Sequence, residues 1–219
     1  MELANGESFH NVTFKKFQRS ISANVDGQQE EFHNPLYVIT HFSKNLPIPS
    51  FASITHGDLN GHNLFVDEKK MVWLIDFYKT GWGPALRDAA ELESSIKFQL
   101  IKNDNLPKLL AFERALLKQA KFSEELPLPV QFQKSDEFQR AFMAIQFIRR
   151  AAAEIGETDI MEEYYAILMY YALKMMTWKG ISSTDKQRRL TRQRHALYSA
   201  ALLGSKFIPF NNKDEKHII

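Results

Sequence analysis

The sequence predicts an α+β fold that is mostly α: a small β-hairpin set into a helical lobe. Three observations lead there. Two short apolar runs, Leu64-Phe65-Val66 and Met71 to Ile75, flank the polar, turn-like Asp67-Glu68-Lys69-Lys70 and read as antiparallel strands. From Ala85 onward, apolar residues recur at spacings of three and four, the period of helices with one buried stripe. Asp159–Trp178 is apolar on nearly every side, as a helix at the centre of a helical core must be.

The remaining elements follow in chain order. Residues 7–22 place Phe9, Val12, Phe14, Phe17 and Ile21 at loosely helical spacing, and Asp26-Gly27 marks a turn in the polar stretch after them. No strand alternation is evident before the connector, and Lys15, Lys16 and Lys44 read as solvated. Asn34 caps and Pro35 opens a short helix through Phe42. Leu46-Pro47-Ile48-Pro49 cannot continue it and leads into the strand-like Phe51 to Thr55. Past the hairpin, Tyr78 to Pro84 holds two glycines, a proline and Trp82. Trp82 is expected to pin this loop to the core, with stacking on a ligand as the alternative. Lys79 reads as solvated, with a phosphate contact as its alternative.

Helices are then expected over 85–101, with Leu86, Ala89, Leu92, Ile96 and Leu100 as its stripe, and over 106–122. Leu126 to Pro129 is a rigid connector. Ser135 caps a helix that Gly156 stops, and its Arg149-Arg150 read as surface ion-pairing residues. Thr184-Asp185-Lys186-Gln187 is a capping box opening a last helix to Leu203. That helix is basic, with Lys186, Arg188, Arg189, Arg192, Arg194 and His195 expected on a solvated face, a docking face for anions or proteins being the alternative. The expected organisation is an amino-terminal helical segment and connector over 1–50, the lobe over 51–205 and a flexible tail over 206–219.

Composition narrows the function classes. The chain has 219 residues, 44% hydrophobic and 25% charged, which is ordinary for a globular protein. It has no cysteine, which excludes disulfides, a thiolate nucleophile and a cysteine-based metal site, and which fits a cytoplasmic location. No basic segment followed by an apolar one opens the chain, and no run approaches the roughly 18 apolar residues of a membrane helix. A formal net charge of +2 does not point to nucleic acid.

Chemistry concentrates between His56 and Phe77. The stretch reads His56-Gly57-Asp58-Leu59-Asn60-Gly61-His62-Asn63, then the first apolar run, the turn, the second run, and Asp76-Phe77. Pairing the two runs would bring the loop ending at Asn63 beside the one beginning at Asp76. Two carboxylates and an amide at such positions suit phosphoryl transfer: one carboxylate handles the attacking hydroxyl, while an amide oxygen and a second carboxylate hold magnesium. Magnesium accepts few, hard oxygen ligands and keeps its waters.

With His-Gly-Asp and Ile-Asp-Phe at this spacing, the stretch resembles the catalytic and magnesium loops of the kinase-like phosphotransferases, in the aminoglycoside phosphotransferase and choline kinase branch. The resemblance implies the carboxy-terminal lobe of the protein-kinase-like fold over 51–205. By position it makes Asp58 the catalytic base, Asn63 and Asp76 the magnesium and nucleotide ligands, and His56 a brace of the loop. Asp88, in Gly83-Pro84-Ala85-Leu86-Arg87-Asp88-Ala89-Ala90, would hold the catalytic loop backbone. Mg2+ with ATP or GTP is the implied cofactor, and a small-molecule hydroxyl the implied acceptor. Among Glu91, Glu93, Glu154, Glu162 and Glu163 some could line a cationic acceptor's site; most are expected at the surface.

The family also implies a β-rich amino-terminal lobe with a glycine-rich loop and a lysine over the phosphates. The 55 residues before His56 carry Gly6 and Gly27 but no glycine-rich run. A partner chain or a segment outside this sequence is therefore expected to complete the cleft. The Thr80-Gly81-Trp82-Gly83-Pro84 loop, with Leu86-Arg87-Asp88 and Glu91-Leu92-Glu93 after it, also resembles the kinase-like ternary complex associated domains of bacterial conflict and signalling systems. That resemblance implies a nucleotide-sensing or protein-interaction module rather than an enzyme.

Overall fold

Short strands form where β-branched and aromatic residues alternate, and helices where the apolar period lengthens to 3.6. The structure, a computed structural model, describes residues 18–25, 27–43, 46–49, 51–177 and 186–208. Strand β1 (Ser20–Val25) pairs antiparallel with β2 (Gln28–His33), and α1 (Pro35–Phe42) follows. Strands β3 (Ala52–Thr55), β4 (Leu64–Val66), β5 (Val72–Leu74) and β6 (Gly81–Pro84) come next. Helix α2 (Arg87–Ser95) runs into a π-helical turn at Ile96–Leu100, and α3 (Leu106–Leu116), α4 (Asp136–Gly156), α5 (Glu162–Thr177) and α6 (Lys186–Gly204) complete the chain. The described strands form three separate two-stranded antiparallel sheets, β1-β2, β3-β6 and β4-β5. The fold is α+β and mostly helical, as the patterning predicts.

The expected helix over 7–22 is corrected where it can be seen: Ser20–Val25 is a strand, and Gly27, at φ +81°, closes a hairpin with β2. Alternation is present after all, because Ala23, Val25 and Phe32 face Leu110 and Ala201 on the helices. Lys15, Lys16, Lys44, the capping box at Thr184-Asp185 and the tail beyond Ile208 lie outside the described residues. Asn34 caps α1 as expected, its Oδ1 accepting from the Leu36 amide at 3.0 Å.

Helix α5 sits at the centre. Tyr164, Tyr165, Leu168, Met169, Tyr171, Ala172 and Met176 are all buried, packed with Leu86 and Ala90 of α2, Val38 of α1, and Ala196, Leu197 and Ala200 of α6. A second cluster gathers Phe112, Phe132, Phe138 and Phe142, with tilted and edge-on ring contacts at centroid distances of 4.8–5.4 Å between the first three. Gly156 is needed for close packing rather than as a stop: a Cβ there would lie 2.7 Å from Leu86 Cδ2. The left-handed residue after the helix is Glu157, at φ 45°. The π turn shifts the α2 stripe, so Leu100, expected in the core, is exposed.

The largest departure from expectation is ionic. Arg149, Glu93, Lys97, Glu113 and His195 are all buried. Arg149 Nε and Nη2 donate to the two Glu93 carboxylate oxygens at 2.9 and 2.8 Å. Its Nη1 donates to Leu116 O and Gln119 Oε1, both at 2.9 Å. Lys97 Nζ bonds Glu113 at 3.0 Å and lies 3.8 Å from Glu93. His195 Nε2 meets Glu113 at 2.9 Å, and Tyr164 donates to Glu93 at 2.9 Å. Surface placement of Arg149 is thus overturned, as is the expectation for most of the acidic candidates, since Glu91, Glu93 and Glu163 are all buried. Each charge is held by an opposite charge and by hydrogen bonds that replace water. Burial alone would raise the Glu93 and Glu113 carboxyls. Arg149 overcomes it at Glu93, and Lys97 with His195 holds Glu113 down at about 2.

Two stability measurements follow. Arg149→Met takes both guanidinium bonds from buried Glu93, leaving it Tyr164 and the more distant Lys97, and should cost about 3–5 kcal/mol in urea unfolding, whereas Glu93→Leu/Arg149→Met together should cost less. Glu113, with its folded carboxyl near 2 against an ordinary 4.5, contributes its full share of stability above pH 4.5. That share is lost as pH falls from 4.5 toward 2, and Glu113→Gln should flatten the stability profile across that window.

Candidate functional site

The loop after β3 is shaped by backbone bonds to α2. The Asp88 carboxylate accepts from the His56 amide at 2.6 Å and the Gly57 amide at 2.9 Å. Asp88 stands in the first turn of α2, where a carboxylate is also favoured by the helix dipole. Arg87 Nη2 donates to Gly57 O at 2.8 Å, and Ser95 Oγ accepts from the Gly61 amide at 3.0 Å. Gly57 sits at φ +78°, and a Cβ there would lie 2.2 Å from Lys79 O, so both the conformation and the close approach require glycine.

His56 is buried and donates from Nε2 to Ile75 O at 2.8 Å, with its ring 4.9 Å from Phe77. It ties the loop before Asp58 to the residue before Asp76. Asn63 is buried, its Nδ2 donating to Asp58 O at 2.8 Å, and its backbone carbonyl accepts from the Ile75 amide at 3.1 Å. The hairpin pairs Leu64 with Leu74, Phe65 with Trp73 and Val66 with Val72. It therefore places the Asn63 and Asp76 ends side by side, with the Asp67–Lys70 turn at the far end.

Asp58, Asn63 and Asp76 are brought to one end of the hairpin, and their surroundings differ. The amide of Asn63 uses its nitrogen on Asp58 O, which leaves Oδ1 as the outward oxygen. Asp76 is exposed and takes the left-handed conformation, φ 63° and ψ 60°. Among the described residues its carboxylate takes no hydrogen bond and no ion pair, so a strained backbone presents a carboxylate that the described fold does not use. Asp58 is engaged: Lys79 Nζ lies 3.0 Å from its Oδ2 and Lys174 Nζ 3.9 Å from its Oδ1.

Sequence reasoning missed the second layer. Lys174, on the helix read only as core, bonds Glu91 at 2.9 Å and lies 5.1 Å above the Tyr171 ring. Tyr171 donates to Glu91 at 3.0 Å and accepts from Arg87 Nε at 3.2 Å. Burial and the Glu91 carboxylate push its phenol above the ordinary range, so it stays a neutral donor. The i,i+3 pair Tyr171/Lys174 on a face otherwise apolar was the available signal. Of the acidic candidates, Glu91 reaches the site, Glu93 belongs to the core network, and Glu154 and Glu162 are exposed. Trp82 does not pin its loop; it is 77% exposed on β6 beside Ile54. On α6, His195 is buried against Glu113 and Arg192 reaches Gln99 O, so part of the expected solvated basic face is structural.

Asp88→Ala would leave the His56 and Gly57 amides without their acceptor. It should cost about 2–4 kcal/mol by denaturant unfolding, with hydrogen exchange at those two amides rising far more than elsewhere.

The hard oxygen donors of Asn63 and Asp76 are of the kind magnesium accepts. Among the described residues no cluster of three His, Cys, Asp or Glu side chains forms a metal site. No helix of the described chain is long and apolar enough to cross a membrane. Comparison with curated proteins and with solved structures finds no match. The model of one family, ternary complex associated domain 9, matches residues 30–177, from β2 through α5 and across the whole candidate site. The chain belongs to the ternary complex associated domain 9 family.

Proposed function

We propose that this chain is a nucleotide-responsive module of a multi-protein regulatory complex, built on a phosphotransferase-like half-site. The observation that carries the reading is the family match over residues 30–177, whose description names association with a ternary complex. A protein partner is the natural counterpart of such a domain. The ligand side of the reading rests on Asn63 and Asp76. Their oxygens would hold a magnesium ion, which would neutralise the charge of the phosphates of ATP or GTP.

Two features favour sensing over turnover. Asp58, the base of the kinase-like reading, has its carboxylate oxygens facing Lys79 and Lys174, so an attacking hydroxyl must first displace an ammonium group. Residues Met71 to Thr80 are exposed, so the described chain by itself does not exclude water from the Asp76 side. One observation keeps phosphoryl transfer as a second reading: the Asn63 amide is bonded to Asp58 O at 2.8 Å while the hairpin sets Asp76 alongside. In that reading a partner would close the cleft, and Asp58 would exchange lysine for an acceptor hydroxyl and take its proton as the γ-phosphoryl passed to that oxygen, with the nucleoside diphosphate as leaving group.

Calorimetry of the purified chain with ATP or GTP, with and without magnesium, tests both. The expected result is magnesium-dependent binding that disappears in Asp76→Ala and survives in Asp58→Ala, without turnover. Phosphorylation of an added acceptor that vanishes in Asp58→Ala would move the second reading to first place. Absence of nucleotide binding by the folded chain would remove the nucleotide and leave the interaction module alone.

A further inference from the structure

The guanidinium of Arg192, on α6, is poorly matched by the fold. A guanidinium carries N–H donors on all three of its nitrogens. Arg149 shows such a group fully satisfied, each nitrogen donating at 2.8–2.9 Å. Arg192 makes a single hydrogen bond among the described residues, from Nη2 to Gln99 O at 3.5 Å, the outer limit of such a contact. Its Nε is shut off from water and has no acceptor. A donor removed from water and left unmatched is costly, and an anion is the ligand that would best offset that cost for a guanidinium.

A second guanidinium stands beside it. Arg188 precedes Arg192 by four positions on α6, so the two side chains share one face of the helix. Burial first and the Arg188 charge second hold the Arg192 guanidinium below its ordinary range, with Asp104 acting the other way. Asp104 belongs to the loop after the π turn; it is exposed, and its Oδ1 lies 3.9 Å from Arg188 Nε. Both walls of this corner are fixed. On the helix, Thr191 and His195 are buried, and His195 bonds Glu113. On the loop, Ile101 is buried with its amide on Ile96 O at 3.1 Å, and Asn105 caps α3 by accepting from the Lys108 amide at 2.9 Å. The arginines are therefore presented from a rigid frame, which lowers the ordering cost of holding a ligand.

We propose that Arg188 and Arg192 form a binding site for a phosphate monoester at the π turn, separate from the Asn63–Asp76 pair. A carboxylate offers two oxygens and one charge, enough for one guanidinium fork. A phosphate monoester offers three oxygens and a charge of about −1.5 to −2 at neutral pH, so two guanidiniums can share it. Its oxygens would give Arg192 Nε the acceptor that the fold withholds, and Asp104 would be displaced toward solvent. Gln99 joins this corner to the candidate functional site. Its carbonyl faces Arg192, its Oε1 accepts from Ser95 Oγ at 3.0 Å, and Ser95 Oγ accepts from the Gly61 amide at 3.0 Å. A phosphorylated ligand, or a phosphorylated side chain of a partner, would thus be held beside the Gly61 loop.

An NMR titration of the full chain with isotope-labelled arginine tests this, with inorganic phosphate as the probe at constant ionic strength. The Arg192 Nε–H resonance should move and saturate as phosphate is added, and chloride should not reproduce the shift. By calorimetry, Arg192→Gln should weaken phosphate binding at least about tenfold, as loss of a charge-assisted contact does. Asp104→Asn removes the carboxylate that competes with the anion and should tighten binding several-fold, an effect that a purely structural role for the arginines would not produce. Asp76→Ala should leave phosphate binding unchanged, so failure of this site and failure of the nucleotide reading are told apart. Glycerol phosphate and a short peptide with one phosphoserine then separate the sources: equal affinities assign the phosphate group itself, and a preference for either names its carrier. Absence of a saturable Arg192 shift overturns the proposal. So does a phosphate affinity that Arg188→Gln/Arg192→Gln leaves intact or that Asp104→Asn fails to raise. Asp104→Asn, a change in an exposed loop, carries the test if the arginine variants do not fold.

Discussion

Burying Arg149 against Glu93 is the constraint on which the rest of the lobe depends. A guanidinium and a carboxylate removed from water must find each other at close range, and both oxygens and all three nitrogens are matched here. The pair fixes α2 against α4, and Tyr164 adds α5 to the same carboxylate. Helix α2 then has little freedom left, and its other residues become reference points. Asp88 shapes the loop at His56-Gly57, Ser95 holds Gly61, and Glu91 collects Tyr171 and Lys174. One helix joins the ionic core to the candidate site.

What the sequence made legible was the part governed by local pattern. The β4-β5 hairpin follows from two apolar runs and a charged turn, and the central place of α5 from its lack of a polar face. The convergence of Asp58, Asn63 and Asp76 at one end follows from the hairpin. The buried charges were legible only in hindsight. Phe138, Phe142, Ile145, Arg149 and Ala152 keep one helical spacing, so Arg149 occupied the core stripe of α4 all along. Glu113 stands in the same way among Leu109, Phe112 and Leu116. Charge type outweighed position in the reading, and position was the better guide. The β1-β2 hairpin was missed because Gln28–Glu31 is polar and its buried residues come only at Phe32 and His33, against partners far along the chain.

The π turn shows how such a site and core coexist. A turn of five residues where four would do shifts the residues past Ser95 relative to α2. Lys97 enters the core toward Glu113, while Ser95 and Gln99, bonded to each other at 3.0 Å, stay beside the Gly61 loop. The same helix thus serves two chemically opposite environments within a few residues. The exposed side of the site contrasts with this: α2 covers one flank with a dense set of hydrogen bonds, while the hairpin on the other meets solvent.

The separation in sequence between partners sets an order of assembly. His56 reaches its Asp88 acceptor thirty-two positions later, and Arg87 reaches Tyr171 eighty-four positions later. Glu113 is completed by His195, eighty-two positions on. Contacts of this span carry a loop-closure entropy that local contacts avoid, and cannot form before the later partner has been made. During synthesis, the loop from His56 to Asn63 therefore emerges long before the helices that hold it. Its hydrogen-bond partners Arg87, Asp88 and Ser95 all lie on α2, so the ligand-facing loop takes its final shape no earlier than that helix is in place.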